Sequence, residues 1–168
     1  MVCIFHVVGK KDTGKTGVIE RVVKEFKEKG FKVAVIKHSH HKIDLAGKDT
    51  DRFRNAGSDY ILFQEGNYES ILFIPKISSI TLLSLLPVDI IVIEGFSNIE
   101  IGRKYLIENP RDIEKLAKAI ISDASQCQRI KVNLKINGNI TEISSDNPML
   151  LLLYNLMKVL GIADVSSS

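Results

Sequence analysis

VCIFHVV at residues 2–8 runs straight into GKKDTGKT at residues 9–16, an apolar β-favouring stretch that breaks into a loop bounded by glycines. A short apolar run closed by glycine reads as a buried strand. Beyond the loop, Val18, Ile19, Val22, Val23 and Phe26 are apolar with charged residues between them. That spacing predicts an amphipathic helix over residues 15–29, with Gly30 as its stop. FKVAVI at residues 31–36 then predicts a second strand. Strand, helix and strand in this length make a βαβ unit, whose two strands lie parallel.

The loop is a phosphate cradle by pattern: Gly9, four residues (Lys10, Lys11, Asp12, Thr13), then Gly14, Lys15 and Thr16. The glycines allow a tight turn whose backbone N–H groups point inward and form an anion-binding nest. Lys15 can reach the β- and γ-phosphates of a nucleotide, and the Thr16 hydroxyl can ligate Mg²⁺. The helix that begins here adds its positive end to the same pocket. Such a pattern arises by chance in roughly one chain of this size in a hundred. Its position between an apolar strand and an amphipathic helix removes most chance matches.

A P-loop site also needs an acid near the Mg²⁺, usually at the end of a neighbouring buried strand. VDIIVI at residues 88–93 is nearly all apolar, as a strand buried on both faces must be, and it is flanked by Asp89 and Glu94. Ligands of a parallel sheet bind beyond the carboxyl ends of its strands. Glu94 is therefore expected on the nucleotide side, and Asp89 on the far side.

Elsewhere the signals are shorter. Residues 60–63 and 70–74 predict two strands joined by a turn near Gly66, and residues 77–86 a helix stopped by Pro87. Residues 104–107 predict a strand, 112–119 a helix, and Ile120 with Ile121 part of a further strand. Residues 130–136 and 140–143 flank Asn137-Gly138, a hairpin signal, and residues 149–160 predict a closing helix. The expected fold is α/β, a three-layer P-loop NTPase fold with a central, mostly parallel sheet and a C-terminal β-hairpin. The expected organisation is a single nucleotide-binding domain over 1–163 and a flexible tail at 164–168.

Composition sets the class. The 168 residues are 45% apolar and 26% charged, the balance of a soluble globular protein able to build its own core. A net charge of +3, with Lys and Arg alternating with Glu, gives no basic stripe for nucleic acid. No apolar stretch reaches the ~20 residues of a membrane helix, and no secretory leader follows Met1. Cys3 and Cys127 lie far apart without metal-type spacing, define no disulfide framework, and suit a reducing cytoplasm.

KHSHHKIDLAGKDTDRFRNAG at residues 37–57 follows the second strand and is expected to open on the nucleotide side. His38, His40 and His41 could meet a substrate or hold a metal. Asp44 and Asp49 could help to hold Mg²⁺ or a water, and Arg52 and Arg54 could meet phosphate.

Together, GKKDTGKT at 9–16, IKHSHHKIDLAGKDTDRFRNAGSD at 36–59 and DIIVIEGFS at 89–97 resemble the molybdopterin-guanine dinucleotide biosynthesis protein B (MobB) family. The middle segment is the most specific, because Ile-Lys-His, His-His, Gly-Lys-Asp and Ala-Gly are not general P-loop features. The resemblance implies a GTP-binding protein with Mg²⁺ and slow hydrolysis, working as a homodimer. It also implies a role in attaching GMP to the molybdenum-pterin cofactor, with a MobA-type molybdopterin guanylyltransferase as partner. Residue by residue, Lys15 and Thr16 match phosphate and Mg²⁺ positions, Glu94 the acid after the buried strand, and Asp49 the Asp of Gly-Lys-Asp. Arg54 matches an Arg before the Ala-Gly pair, and Ser122-Asp123 resembles the family's late Ser-Asp pair. Gly17 stands where a second hydroxyl is usual, and Ala46 where Pro is common. An Asn-Lys-x-Asp guanine motif is missing, which leaves Asp123 as the candidate for reading the base.

The leading expectation is thus a weak Mg²⁺-dependent GTPase, with Lys15, Glu94 and Asp49 as its chemical residues and the loop from Gly9 to Gly17 as its binding residues. A non-catalytic adaptor that binds nucleotide or cofactor is the first alternative. A small-molecule P-loop kinase is the second.

Overall fold

Apolar parallel strands, helices with one apolar face and two hairpins make up the described elements. The computed structural model describes residues 2–38, 49–66, 69–73, 79–96, 99–136 and 139–161. In order, the elements are β1 (Cys3–Val8), α1 (Lys15–Glu28), β2 (Val33–Lys37), α2 (Asp49–Asn55), β3 (Ile61–Glu65), β4 (Glu69–Phe73), α3 (Ser79–Leu85) and β5 (Ile90–Glu94). They continue with β6 (Arg103–Leu106), α4 (Ile113–Asp123), β7 (Lys131–Ile136), β8 (Asn139–Ser144) and α5 (Pro148–Val159). The chain, read from sequence as one domain over 1–163, divides into two compact units, Met1–His38 with Leu83–Ser168, and Ser39–Leu82. The expected tail at 164–168 lies outside the described residues.

The first unit is built on a four-stranded sheet in the order β2-β5-β1-β6, with every neighbouring pair parallel. β5 sits inside it and alternates between two cores. Ile90 and Val92 join Phe5, Val7 and the α1 residues Val18, Ile19, Val22 and Phe26. Ile91 and Ile93 face the other way and pack with Leu83 and Ile36. Each such apolar side chain, fully buried, stabilises the fold by about 1.5–3 kcal/mol. This is why the strand tolerates no polar residue before Glu94.

Two sequence expectations are corrected here. Ile120 and Ile121 do not begin a strand: α4 runs through them to Asp123. Ile113, Leu116, Ala117, Ile120 and Ala124 recur at helical spacing and pack against the α1 side of the sheet, and that burial decides an otherwise ambiguous apolar pair. Cys3 and Cys127 are not free thiols, for they form a disulfide across 124 residues. Cys3 opens β1, and the turn Ala124–Gln126 returns the chain after α4 to that end of the sheet, with the two Cα atoms 6.0 Å apart.

At the same end, Asp89 is fully buried and satisfied by three donors. Its Oδ2 accepts from the Lys32 N–H at 2.8 Å and the Ser145 hydroxyl at 2.9 Å, and its Oδ1 from the Ile130 N–H at 2.7 Å. One carboxylate thereby joins the approaches to β2, β5 and β7 to the end of β8. The antiparallel hairpin β7–β8 lays Leu134 and Ile143 on Leu151 and Tyr154 of α5. Asn147 caps that helix by accepting from the Leu150 N–H, with Pro148 in its first turn.

The second unit holds α2 and the antiparallel hairpin β3–β4, in which Leu62 faces Leu72 and Phe63 faces Ile71. The Arg54 guanidinium lies 4.9 Å from the centre of the Phe73 ring, a cation–π contact within this unit.

Candidate functional site

The loop after β1 keeps its shape through two left-handed residues and two glycines that nothing larger could replace. Asp12 has φ 62° and Gly14 φ 95°. A Cβ on Gly9 would stand 2.3 Å from the Ile107 carbonyl oxygen and 2.8 Å from Thr13 Oγ1. Gly9→Ala must therefore push backbone apart, and we expect about 2 kcal/mol of lost stability, the scale of an overpacked site, read as a lower urea midpoint. An unchanged midpoint would mean that this close approach does not exist in solution.

Inside the loop, Thr13 Oγ1 donates to the Lys10 carbonyl at 2.9 Å. The Lys15 ammonium bridges the mouth, donating to the carbonyls of Gly9 at 3.0 Å and Lys10 at 2.5 Å. No side chain caps α1 at Gly14, and no acid stands in its first turn. The helix's first N–H groups and its positive end are thus without a side-chain cap, the arrangement that suits an anion. Lys10, Lys11 and Asp12 are exposed on the rim, and Thr13 is buried beneath it.

Gly17, where the sequence departs from the usual hydroxyl, has a packing reason. A Cβ there would come within 3.1 Å of Ile113 Cδ1, and one on Gly14 within 2.8 Å of the same atom. The start of α4 thus leans over the start of α1.

Glu94 arrives from β5, aligned with Val7 on one side and Lys37 on the other. Its Oε2 faces Thr16 Oγ1 at 3.5 Å, and its Oε1 faces the Lys37 ammonium at 3.5 Å. A hydroxyl and a carboxylate are hard oxygen donors of the kind Mg²⁺ takes, and Mg²⁺ usually keeps several waters and phosphate oxygens beside one or two such ligands. The pair therefore fits the ion. Among the described residues no group of three His, Cys, Asp or Glu side chains could hold a metal, so a histidine-rich transition-metal site finds no support there. His40, His41 and Asp44 lie outside the described residues. The His38 ring leans on that of Phe96 at 40°, with ring centres 4.6 Å apart.

Two residues of the site were not singled out by sequence reasoning. Lys37 is placed by strand order alone, since nothing in the sequence puts β2 next to β5. His6 is fully buried in β1, and its Nε2–H donates to the Gly95 carbonyl at 2.5 Å. Gly95 has φ 94° and Phe96 φ 50°, so the turn that carries the chain away from Glu94 is left-handed twice and is held by His6 and by the His38 N–H on the Glu94 carbonyl. An apolar strand with one histidine in it was the available signal.

Asp49 and Arg54 lie on α2 in the second unit, where Asp49 is exposed and pairs with Arg52 at 3.7 Å. Asp123 ends α4, a helix whose first residue is the one near the cradle, so Asp123 stands a full helix length away from it. There it accepts from the Tyr105 hydroxyl at 2.7 Å and pairs with Arg103 at 3.0 Å. Burial first, then the Asp123 hydrogen bond and charge, push the Tyr105 hydroxyl far above its ordinary range. The structure therefore does not bring Asp123 to the cradle.

Comparison with known proteins adds an independent line. Residues 4–123 match the family model described as MobB, molybdopterin guanine dinucleotide synthesis protein B. A Bacillus subtilis relative, a probable molybdopterin-guanine dinucleotide biosynthesis adapter protein, is 29% identical over 67% of this chain and 69% of its own. The Haemophilus influenzae molybdopterin-guanine dinucleotide biosynthesis adapter protein is 32% identical over 55% of this chain, which spans 56% of that relative's length. The crystal structure of Bacillus subtilis MobB superposes with a TM-score of 0.50 at 30% identity, covering 68% of this chain and 73% of that one.

Proposed function

The chain belongs to the molybdopterin guanine dinucleotide synthesis protein B (MobB) family, and on that premise we propose that it is a GTP-binding accessory protein of molybdenum cofactor biosynthesis. It binds GTP with Mg²⁺ at the cradle from Gly9 to Gly17 and hydrolyses it slowly. It works in the cytoplasm as a homodimer beside a MobA-type guanylyltransferase that attaches GMP to the molybdenum-pterin cofactor. The observation that carries the proposal is the meeting of Lys15, Thr16 and Glu94 at one loop mouth under the uncapped start of α1.

The residues divide the work. Backbone N–H groups of the loop and the Lys15 ammonium take the phosphates; Lys15 exchanges its two loop carbonyls for phosphate oxygens, a stronger charge-assisted pairing. Thr16 and Glu94 would hold Mg²⁺, which when bound supplies charge neutralisation between the phosphates. Lys37 balances the Glu94 charge from the neighbouring strand. The loop's own acid, Asp12, is exposed on its rim, in keeping with slow turnover. The same feature favours a second reading, an adaptor that uses nucleotide binding without useful hydrolysis, and the relatives' names as adapter proteins agree with it.

A titration with GTP and ATP, with and without Mg²⁺, tests the proposal. Mg²⁺-dependent GTP binding should weaken about thirtyfold, or ~2 kcal/mol, in Lys15→Ala. A preference for ATP would overturn the GTP assignment, and equal binding by the variant would remove the cradle from the mechanism. Single-turnover hydrolysis separates the two readings: slow GDP formation lost in Lys15→Ala supports the GTPase, and none in the wild type supports the adaptor.

A further inference from the structure

His6 is fully buried in an otherwise apolar strand. By alternation it shares the face of Ile4, which packs with Ile91 and Ile93. Its Nε2 lies 2.5 Å from the Gly95 carbonyl oxygen, and a carbonyl only accepts, so the proton sits on Nε2. Nδ1 is left a bare acceptor, and among the described residues nothing donates to it. A buried polar atom without a partner costs stability that an apolar ring of similar shape would not. The imidazole is thus a poor residue for packing, and what it contributes is the single bond to Gly95.

That bond ends on the turn that follows Glu94. Gly95 has φ 94° and Phe96 φ 50°, and the second lies in a region that a bulky residue seldom enters. A Cβ on Gly95 would stand 3.1 Å from both the Cβ and the carbonyl oxygen of His38, so the turn is closely packed as well. The Glu94 carboxylate, by contrast, is loosely held by its side-chain neighbours. Thr16 Oγ1 and the Lys37 ammonium each stand 3.5 Å from it, beyond the reach of a good hydrogen bond at about 2.5–3.2 Å. Where the carboxylate points therefore depends on its backbone, which leaves β5 through a strained turn. Two hydrogen bonds hold that exit: the His38 N–H on the Glu94 carbonyl at 2.9 Å, and the His6 ring on the Gly95 carbonyl.

We propose that His6 is a positioning residue for Glu94: by pinning the Gly95 carbonyl it keeps the carboxylate facing Thr16, where the two oxygens together suit Mg²⁺. The inference rests on the Mg²⁺ reading above and extends it to a side chain that acts only through the backbone. Mg²⁺ demands near-octahedral ligands at about 2.0–2.1 Å, so a small displacement of the carboxylate is enough to weaken its hold. Phosphate binding through Lys15 and the N–H groups of the loop does not pass through this turn.

Titrations of the full chain with GTP and ATP at graded Mg²⁺ test it, with His6→Phe and His6→Gln beside the wild type. Phe keeps a ring and removes the donor, and Gln returns an N–H at comparable reach. His6→Phe should need at least tenfold more Mg²⁺ to reach half of the Mg²⁺-dependent gain in affinity for the preferred nucleotide. Its Mg²⁺-free affinity should stay within twofold of wild type, and His6→Gln should recover most of the loss. A wild type that binds neither nucleotide, or binds without Mg²⁺ dependence, overturns the Mg²⁺ reading and this inference with it. A Mg²⁺-dependent wild type matched by His6→Phe, or a Gln variant as weak as Phe, overturns the inference alone. Should His6→Phe fail to fold, the wild type decides by linkage: if the bond helps Mg²⁺ to bind, Mg²⁺ must strengthen the bond. Exchange of the His6 Nε2–H, followed by NMR, should then slow at least threefold when Mg²⁺ joins the bound nucleotide. An unchanged rate, or a ring protonated on Nδ1 alone, overturns the proposal.

Discussion

Asp89→Ala is expected to remove about 3–5 kcal/mol of unfolding free energy, because each orphaned buried donor costs about 1–3 kcal/mol and three are orphaned at once. The donors are the N–H groups of Lys32 and Ile130 and the hydroxyl of Ser145, and all three converge on one carboxylate that is fully buried. Two are backbone groups, which cannot turn away to find water without moving the chain. Asp89→Asn should fall between wild type and Ala, since it keeps one acceptor oxygen but presents an N–H to a donor. Urea denaturation measures the effect. A loss below about 1 kcal/mol would mean that water replaces the carboxylate and that the junction is not closed in solution. Nucleotide affinity, measured where the variant is folded, should be unchanged. Glu94 lies five residues along the same strand, about 17 Å away at the rise of a strand. One end of β5 thus serves stability and the other the candidate site.

That division was partly legible beforehand. The strand–loop–helix junction at residues 2–29 announces itself because each residue there does one thing: apolar groups bury, glycines turn, and Lys15 and Thr16 face the mouth. β5 was legible too, since a strand with Ile, Ile, Val and Ile in succession has both faces buried. Parallel topology then sorts Glu94 to the cradle side and Asp89 to the opposite side. What the sequence does not carry is adjacency. Lys37 meets Glu94 only because β2 neighbours β5, and Cys3 meets Cys127 only because α4 returns the chain to the start of β1. Asp89 reads as the discarded alternative to Glu94, and its three partners come from segments 41 to 57 residues distant. Ile120-Ile121 misleads for the opposite reason, being too short to show a period until Ala117 and Ala124 are seen on the same buried face.

The Cys3–Cys127 bridge leads to the second large effect. A crosslink that closes a loop of this length restricts the unfolded chain, and loop-closure entropy places its contribution near 4–5 kcal/mol, with about 3–4 expected once native packing adjusts. Cys127→Ala in an oxidising buffer should therefore lower the unfolding free energy by about 3–4 kcal/mol. Reduction of the wild type should bring it to nearly the same value, because the Cys127 thiol is only partly buried and its packing adds little beside the covalent link. Coincidence of the two curves is the informative result. If alanine costs much more than reduction, the thiol's packing and not the covalent link is the main contribution. If neither perturbation moves the urea midpoint, the bridge does not form in solution, and the reducing cytoplasm inferred from the cysteine pattern needs no reconciliation with the fold. If both do, the protein in a reducing compartment works several kcal/mol below the stability of its oxidised form. At that end of the sheet the chain is then held by the junction at Asp89, which closes it without any covalent bond.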